Sequence, residues 1–432
     1  MPHAPRVSAD APLPAPRTSS PRSPVDRVLA LRSACGNRAF AQLVAARIQR
    51  SPQSDRLHAL GATAPLDTVL TELRGLTGPD TDVDAELATL LTARPGDLWV
   101  AQRLWAGELG TSAKKRPVKA FYFPGTTARR ALVIAGVHGT ERQGMEVANL
   151  LMADLKATPP AFSVILVPSL FPDNAADGAF GVREGGTPTN RNFPTPDKDF
   201  AGSGGVDAMG RKIRAENEML MHLIERFQPE RIISIHGTQS PGQAGVFYDP
   251  RQLNAAERER VERGAVTRPR ISDGPDDQET RQRELSKGLL ASKLAEVRTA
   301  DEKLSLDAAK LIDAATTGVT GRESRNMVRE GEGTVPKGQA GPRGAHSSVA
   351  GNVGTSGDVD TAFWAGSTPG GTSLGGYAAA RGMSIFTVEP PVNRNVADYG
   401  KGQTAGDKVT QAGRTVELQA YADAVRTVLL GP

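Results

Sequence analysis

The stretch from Ala131 to Gly144 reads "ALVIAGVHGTERQG" and holds the strongest structural signal in the 432-residue chain. Its first half is a continuous apolar run, which is typical of a β-strand covered on both faces. The chain has only six histidines, yet His138 directly follows this run and Glu141 comes three residues later. A second "HGT" begins at His236, again after an apolar run. The repeated placement predicts histidines at one edge of a sheet.

Other apolar runs alternate with amphipathic stretches along the chain. The predicted strands, besides 131–137, are "VKAFYF" (118–123), "SVILVP" (163–168), "RIISI" (231–235) and "MSIFTV" (383–388). Helical periodicity is found in "GMEVANLLMADL" (144–155) and "RKIRAENEMLMHLIERF" (211–227). Strands that alternate with helices predict an α/β fold, with a mostly parallel or mixed central sheet flanked by helices.

Composition divides the chain into three regions. Residues 1–53 form a predicted leader, disordered in its first 24 residues, which include seven prolines, and short-helical after them. Residues 54–104 are predicted to be a helical lead-in. Residues 105–432 are predicted to be the α/β domain, interrupted at about 250–345 by an insertion. This insertion contains charged helical stretches and then a Gly/Pro-rich loop, so we expect it to be mostly helical.

The overall composition argues against several classes of function. A net charge of +4 is small for this length, so we expect no nucleic-acid partner. The single cysteine, Cys35, excludes an intramolecular disulfide and a zinc site built from cysteines. No apolar run approaches the roughly 20 residues that span a bilayer, and no hydrophobic signal core is visible. We therefore expect no membrane partner and a cytoplasmic location at synthesis.

Three of the apolar runs are followed by, or end near, a residue suited to zinc chemistry: His138, His236 and Glu389. In open α/β sheets ligands bind beyond the carboxyl ends of the strands. Two histidines and a glutamate, here Glu141, with an open fourth position are a ligand set of hydrolytic zinc enzymes, in which the pKa of a bound water falls to about 7. We predict one zinc ion per chain, with His346 as the rival ligand.

Glu389 is predicted to have a different role from the three ligands. A carboxylate beside the attacking water can accept its proton and then pass that proton to the leaving nitrogen. Its position after the run "MSIFTV" places it at the same sheet edge as the two histidines. A purely structural carboxylate is the alternative reading.

Four motifs taken in order resemble the zinc carboxypeptidase family of the funnelin type: "HGTE" at 138–141, "NRNFP" at 190–194, "HG" at 236–237 and "TVEPP" at 387–391. The likeness is greatest to the bacterial branch that trims peptidoglycan stem peptides. It covers about residues 105–425 without the insertion. The resemblance implies the corresponding fold, zinc binding by His138, Glu141 and His236, and Glu389 as general base.

The resemblance also implies how a substrate would be held. Asn190 and Arg191 match the pair that grips a terminal carboxylate, and the planar guanidinium can meet a carboxylate with two hydrogen bonds. Arg183 is the candidate for polarising the scissile carbonyl and stabilising the oxyanion, a surface arginine being the alternative. The residues before Asn190 read "GGTPT" (185–189), where the family has an apolar-acidic turn.

The leader carries a second resemblance. "GNRAF" (36–40) and the following residues to "IQR" (48–50) are similar to a segment near the N-termini of bacterial proteins associated with extracellular contractile injection systems. This implies export as an effector, with components of such a system as partners.

Three functions follow as hypotheses. The first is hydrolysis of a peptide bond next to a free carboxylate, in a peptide or a peptidoglycan fragment. The second is hydrolysis of N-acyl amino acids, as in the aspartoacylase and succinylglutamate desuccinylase enzymes, which share the His-x-x-Glu and later His arrangement. The third is a catalytically inactive cargo or structural protein that keeps the fold.

Overall fold

A computed structural model describes eight stretches of the chain: residues 51–139, 141–177, 189–195, 204–237, 245–265, 275–316, 372–391 and 411–432. The predicted leader lies almost wholly outside these residues. Arg183 and His346 lie outside them as well, so their predicted roles stay predictions.

Four helices open the described chain: α1 (Pro52–His58), α2 (Leu66–Arg74), α3 (Thr81–Leu90) and α4 (Pro95–Ala106). The first is capped by Ser51, whose hydroxyl oxygen accepts a hydrogen bond of 3.1 Å from the backbone N–H of Ser54. The buried side chains of all four helices belong to one apolar cluster that also contains sheet residues. The helical lead-in is therefore packed directly on the α/β core.

Among the described residues after the helical lead-in there are eight strands: β1 (Glu108–Thr111), β2 (Pro117–Lys119), β3 (Phe121–Phe123), β4 (Arg130–Ala135), β5 (Ser163–Val167), β6 (Arg231–Ile235), β7 (Gly245–Asp249) and β8 (Ser384–Glu389). Strands β1 and β2 pair with each other, and the other six form one sheet in the order β3-β5-β4-β6-β8-β7. The four central strands are parallel, and the two edge strands run antiparallel to them. The predicted α/β fold with a mixed central sheet is confirmed.

Three details differ from the sequence-based expectation. Strand β1, which has four residues, was not predicted. The run 118–123 is not one strand, because the N–H of Ala120 bonds to the carbonyl of Gly107 at 3.1 Å and so separates β2 from β3. Strand β7 was not predicted either. It has only five residues and ends in a charged one, so its apolar signal is short.

Helices cover both faces of the large sheet. The described helices after β4 are α5 (Arg142–Ala157), α6 (Pro172–Asp177), α7 (Ala215–Phe227), α8 (Ala255–Gly264), α9 (Pro275–Thr316), α10 (Leu374–Ala380) and α11 (Gln411–Ala424). One apolar cluster joins α1–α4, α7 and α10 to one face of the sheet. A second joins α5, α11 and the end of α9 to the other face. Coverage on both sides explains why the central strands are apolar along their length.

Helices α8 and α9 lie within the stretch predicted as a helical insertion, and α9 is fixed to the sheet by buried polar contacts. Arg251 Nε donates to Asp301 Oδ2 at 3.0 Å, and Ser384 Oγ at the start of β8 donates to Asp301 Oδ1 at 2.7 Å. Ser305 Oγ donates to the carbonyl of Val246 in β7 at 2.7 Å. The later half of α9 is thus anchored to β7 and β8. Within the described ranges, no helix has both the length and the apolar character that crossing a bilayer requires.

Candidate metal centre

A glycine turn delivers His138 to the edge of the sheet. Strand β4 ends at Ala135, and Gly136 follows with φ +68°, a left-handed conformation that favours glycine. A Cβ at Gly136 would lie 2.8 Å from the Cα of Ser169. The chain therefore bends sharply beyond β4, close against the segment that follows β5, and His138 comes two residues later.

A second glycine brings Glu141 to His236. Helix α5 begins directly after Glu141, and Gly144 lies in its first turn. A Cβ at Gly144 would lie only 2.0 Å from the carbonyl oxygen of His236, so this approach of backbone to backbone is possible only for glycine. As a result, Glu141 Oε2 lies 3.1 Å from His236 Nδ1. The N–H of Gly237 also hydrogen-bonds to the Glu141 carboxylate.

The three predicted ligands are brought together. One ligand atom from each of His138, Glu141 and His236 lies within 4.8 Å of the other two. The two imidazole rings are 5.1 Å apart, centre to centre. Two imidazole nitrogens and a carboxylate oxygen at this spacing can hold a metal ion, and they match the donors that zinc prefers.

Burial sets the charge of these groups. Burial and, next, the neighbouring His236 lower the pKa of His138 to about 4, while Glu141 opposes this shift. Burial also lowers the pKa of His236 and raises the pKa of Glu141 to about 7. Both imidazoles are thus neutral at physiological pH, which is the form that binds a metal. With a proton on either atom, Glu141 Oε2 and His236 Nδ1 form a hydrogen bond of 3.1 Å.

Thr189 orients the His138 ring, a role that was not predicted. Its hydroxyl donates to the carbonyl of Val137 at 2.8 Å and lies 3.3 Å from His138 Nδ1. Because the hydroxyl proton is used by the carbonyl, the oxygen accepts from Nδ1–H. The lone pair then resides on Nε2. Partners of this kind commonly fix the tautomer of metal-binding histidines.

A buried network holds the turn that carries Asn190 and Arg191. Asn217 in α7 is fully buried, and its Nδ2 donates to the carbonyls of Thr189 (2.9 Å) and Asn192 (3.3 Å). Asn192 Nδ2 donates to the buried Asp207 at 2.8 Å. Arg211 Nη2 donates to the carbonyl of Arg191 at 2.7 Å. This network was not predicted from the sequence.

Arg191 lies close to the candidate metal centre. Its positive charge contributes to the lowered pKa of both His138 and His236, and burial lowers its own pKa. Its Nη1 donates to the carbonyl of Asn190 at 2.6 Å. Asn190 Oδ1 in turn accepts from the N–H of Leu374 at 3.1 Å, which ties the turn to the start of α10.

Glu389 is the last residue of β8 and is partly exposed. Strand β8 pairs with β6, and the N–H of His236 donates to the carbonyl of Val388 at 2.8 Å. Burial lowers the pKa of His236, and the negative charge of Glu389 opposes that shift. Glu389 is therefore beside the metal-ligand group without belonging to it.

No protein-family model matches the sequence, and no curated protein does. Among solved structures, the chain is similar to the murein-tripeptide amidase of Escherichia coli O157 (16% identity, TM-score 0.35, 74% of this chain and 90% of that chain). It is also similar to carboxypeptidase A of Helicoverpa armigera (15%, 0.37, 93% and 82%) and to a metallo-carboxypeptidase of Pseudomonas aeruginosa (14%, 0.37, 74% and 63%). With these identities and TM-scores, the likeness carries no argument about activity.

We expect Gly144→Ala to disrupt metal binding, because the new Cβ would overlap the carbonyl oxygen of His236. Helix α5 would have to move away and take Glu141 with it, at a cost of about 1–3 kcal/mol in stability. Metal content after equilibration with zinc and the free energy of unfolding measure both effects. Gly264→Ala at the end of α8 is the matched control, since a Cβ there meets nothing within 4 Å. Unchanged zinc content in Gly144→Ala would contradict the packing argument.

Metal affinity should rise with pH between 6 and 8. Below about pH 7 the metal-free protein holds a proton on Glu141, and the metal must displace it, so affinity falls by up to about tenfold per pH unit. His138, with a pKa of about 4, adds nothing in this window. Competition with a chelator of known affinity at pH 6, 7 and 8 gives the slope. Glu141→Gln should bind more weakly with a flatter slope, and an equal slope in both proteins would contradict the assignment.

Proposed function

We propose that the chain is a zinc-dependent carboxypeptidase or amidase that hydrolyses a peptide bond next to a free carboxylate. The observation that carries this proposal is the convergence of His138, Glu141 and His236 within 4.8 Å at the carboxyl edge of the sheet. Arg191 and Glu389 act electrostatically on the same histidine. A metal-dependent hydrolytic site combines these three components: a metal, a carboxylate for proton transfer and a group that binds the substrate.

The metal ligands, Glu389 and the residues around them have separate roles in the proposed reaction. Zinc, when bound, would supply a Lewis acid that polarises the scissile carbonyl and acidifies water. Glu389 accepts a proton from the attacking water and delivers it to the leaving nitrogen. Its partial exposure leaves the carboxylate able to reach water. Thr189 and Gly144 keep the ligands in position and take no part in proton transfer.

Arg191 supports a substrate with a free terminus. The residue is half-buried, and Arg211 and Asn217 fix the surrounding turn. A pre-positioned guanidinium binds a carboxylate through two parallel hydrogen bonds. An internal peptide bond offers no such group, so this site favours cleavage at a terminus. Stabilisation of the oxyanion by Arg183 completes the proposal, on the resemblance alone.

The nature of the substrate is proposed from the motifs. Their likeness to the stem-peptide branch favours a peptide, or a peptidoglycan fragment that ends in a carboxylate. An N-acyl amino acid hydrolase would use the same ligands on a smaller substrate. An inactive cargo protein would have no need for two neutral imidazoles, one buried and one partly buried, facing a carboxylate.

We predict that Glu389→Gln keeps the fold and the zinc but loses most of its turnover. An amide cannot carry the proton, so kcat should fall by about 10²–10⁴-fold with KM little changed. The assay compares N-acyl dipeptides, stem peptides and N-acyl amino acids, each peptide with a free or an amidated terminus. His236→Ala is the control that loses both zinc and activity. Near-normal kcat in Glu389→Gln would remove this residue from the mechanism, and hydrolysis of N-acyl amino acids alone would favour the second hypothesis.

We further propose that the leader directs delivery of the chain as an effector by a contractile injection system, which rests on the resemblance of residues 36–50. A chain that begins at Ser51 keeps the cap of α1 and every described element, so it should retain zinc and hydrolysis. It should lose association with injection particles when both forms are expressed beside such a system. Equal loading of the two forms would contradict the proposal. Loss of folding would instead show that the leader packs on the core.

A further inference from the structure

A cavity of about 180 Å³ lies along the outer edge of the large sheet, beside strand β3. The N–H of Ala120 bonds to the carbonyl of Gly107 at 3.1 Å, and both residues belong to the cavity wall. The lining is mostly apolar, and its larger apolar side chains come from α2 (Leu70 and Leu73), α4 (Leu104) and β3 (Phe121, Tyr122 and Phe123). The cavity thus lies where the helical lead-in meets the sheet.

This cavity is separate from the metal centre. Strand β5 lies between β3 and β4, the strand that leads to His138. Helix α5 begins directly after Glu141 and reaches the cavity with Lys156. At about 1.5 Å per residue, the helix between these two residues is roughly 20 Å long. None of the described residues that line the cavity contributes to the candidate metal centre, so a ligand bound here would occupy a site of its own.

Two cations, Arg74 and Lys156, lie at the mouth of the cavity. Both line it, and both are exposed. The guanidinium carbon of Arg74 lies 5.6 Å from the centre of the Phe123 ring, which is part of the lining. Within the described part of the chain no ion pair is found for either cation, and the lining includes no carboxylate. An apolar interior below two such cations favours an anion with a hydrophobic body.

The volume of the cavity sets the size of this ligand. An apolar cavity of about 150 Å³ can hold a benzene molecule. The slightly larger cavity here therefore accepts an alkyl or aryl body of about six to eight carbon atoms. Leucine and aromatic side chains would remove that body from water, which favours binding. A carboxylate at its end would then lie at the mouth, within reach of Arg74 and Lys156.

We propose that this cavity binds a small amphipathic anion, namely a carboxylate with a medium-chain alkyl or an aryl body. The apolar lining holds the body, and Arg74 and Lys156 hold the carboxylate. Because the lining comes from α2, α4, β3 and α5, a bound ligand would join the helical lead-in to the sheet and stabilise the folded protein. This inference does not depend on the proposed function. The competing interpretation is that both cations, each in the last turn of its helix, only compensate the negative helix ends.

The test is calorimetry on the full-length, zinc-loaded protein with octanoate and with 1-octanol, which has the same chain length without the charge. Wild type should bind octanoate. Arg74→Gln combined with Lys156→Gln should weaken octanoate binding by about tenfold and leave octanol binding unchanged, since both side chains are exposed. Leu104→Trp should lose both ligands, because the larger side chain fills the cavity. Lys287→Gln in α9, which changes an exposed lysine outside the cavity, is the matched control.

Four results would overturn the proposal: no octanoate binding by wild type, equal octanoate affinity in the double variant, unchanged affinity in Leu104→Trp, or loss of octanoate binding in His236→Ala. Equal affinity in the double variant would show that Arg74 and Lys156 only compensate the helix ends. Loss in His236→Ala would place the carboxylate at the metal centre instead. A wild-type dimer that Leu104→Trp converts to a monomer would show that a second copy of the chain fills the cavity, and it would also overturn the proposal.

Discussion

The candidate site depends on the contact between the first turn of α5 and the end of β6. At Gly144 the helix backbone approaches the carbonyl oxygen of His236 so closely that no side chain fits between them. This contact joins two segments that are 95 residues apart in sequence, as given by the Glu141–His236 pair. The remaining parts of the site, the bend at Gly136 and the turn at Thr189, are arranged around this contact. Close packing of backbones is therefore the condition on which the metal-ligand geometry rests.

The two covered faces of the sheet determine the electrostatics of the site. Because helices exclude water from both sides, the histidines stay neutral and the carboxylates hold their protons more tightly. Neutral imidazoles beside a carboxyl group favour the binding of a cation, which would replace the proton on Glu141. The same burial strengthens the effect of Arg191 on its surroundings, since charges interact more strongly in a medium of low dielectric constant.

The sequence predicted the parts of the molecule that have a local signal. Apolar runs predicted the central strands, and the residues just beyond them predicted the ligand group. The structure places those residues together. Strand β7 was missed because five residues with a charged end give little periodicity. Thr189 and Asn217 were missed because their roles depend on partners distant in sequence.

The anchor at Asp301 has a consequence for how the molecule comes apart. The Asp301 carboxylate can reach water only if its hydrogen bonds to Arg251 and Ser384 break. The later half of α9 and the adjoining strands should therefore unfold as one cooperative unit. The earlier half of α9 is mostly exposed where its side chains are described. It is free to fray on its own. The insertion is thus divided, within a single helix, into a part that shares the stability of the sheet and a part that does not.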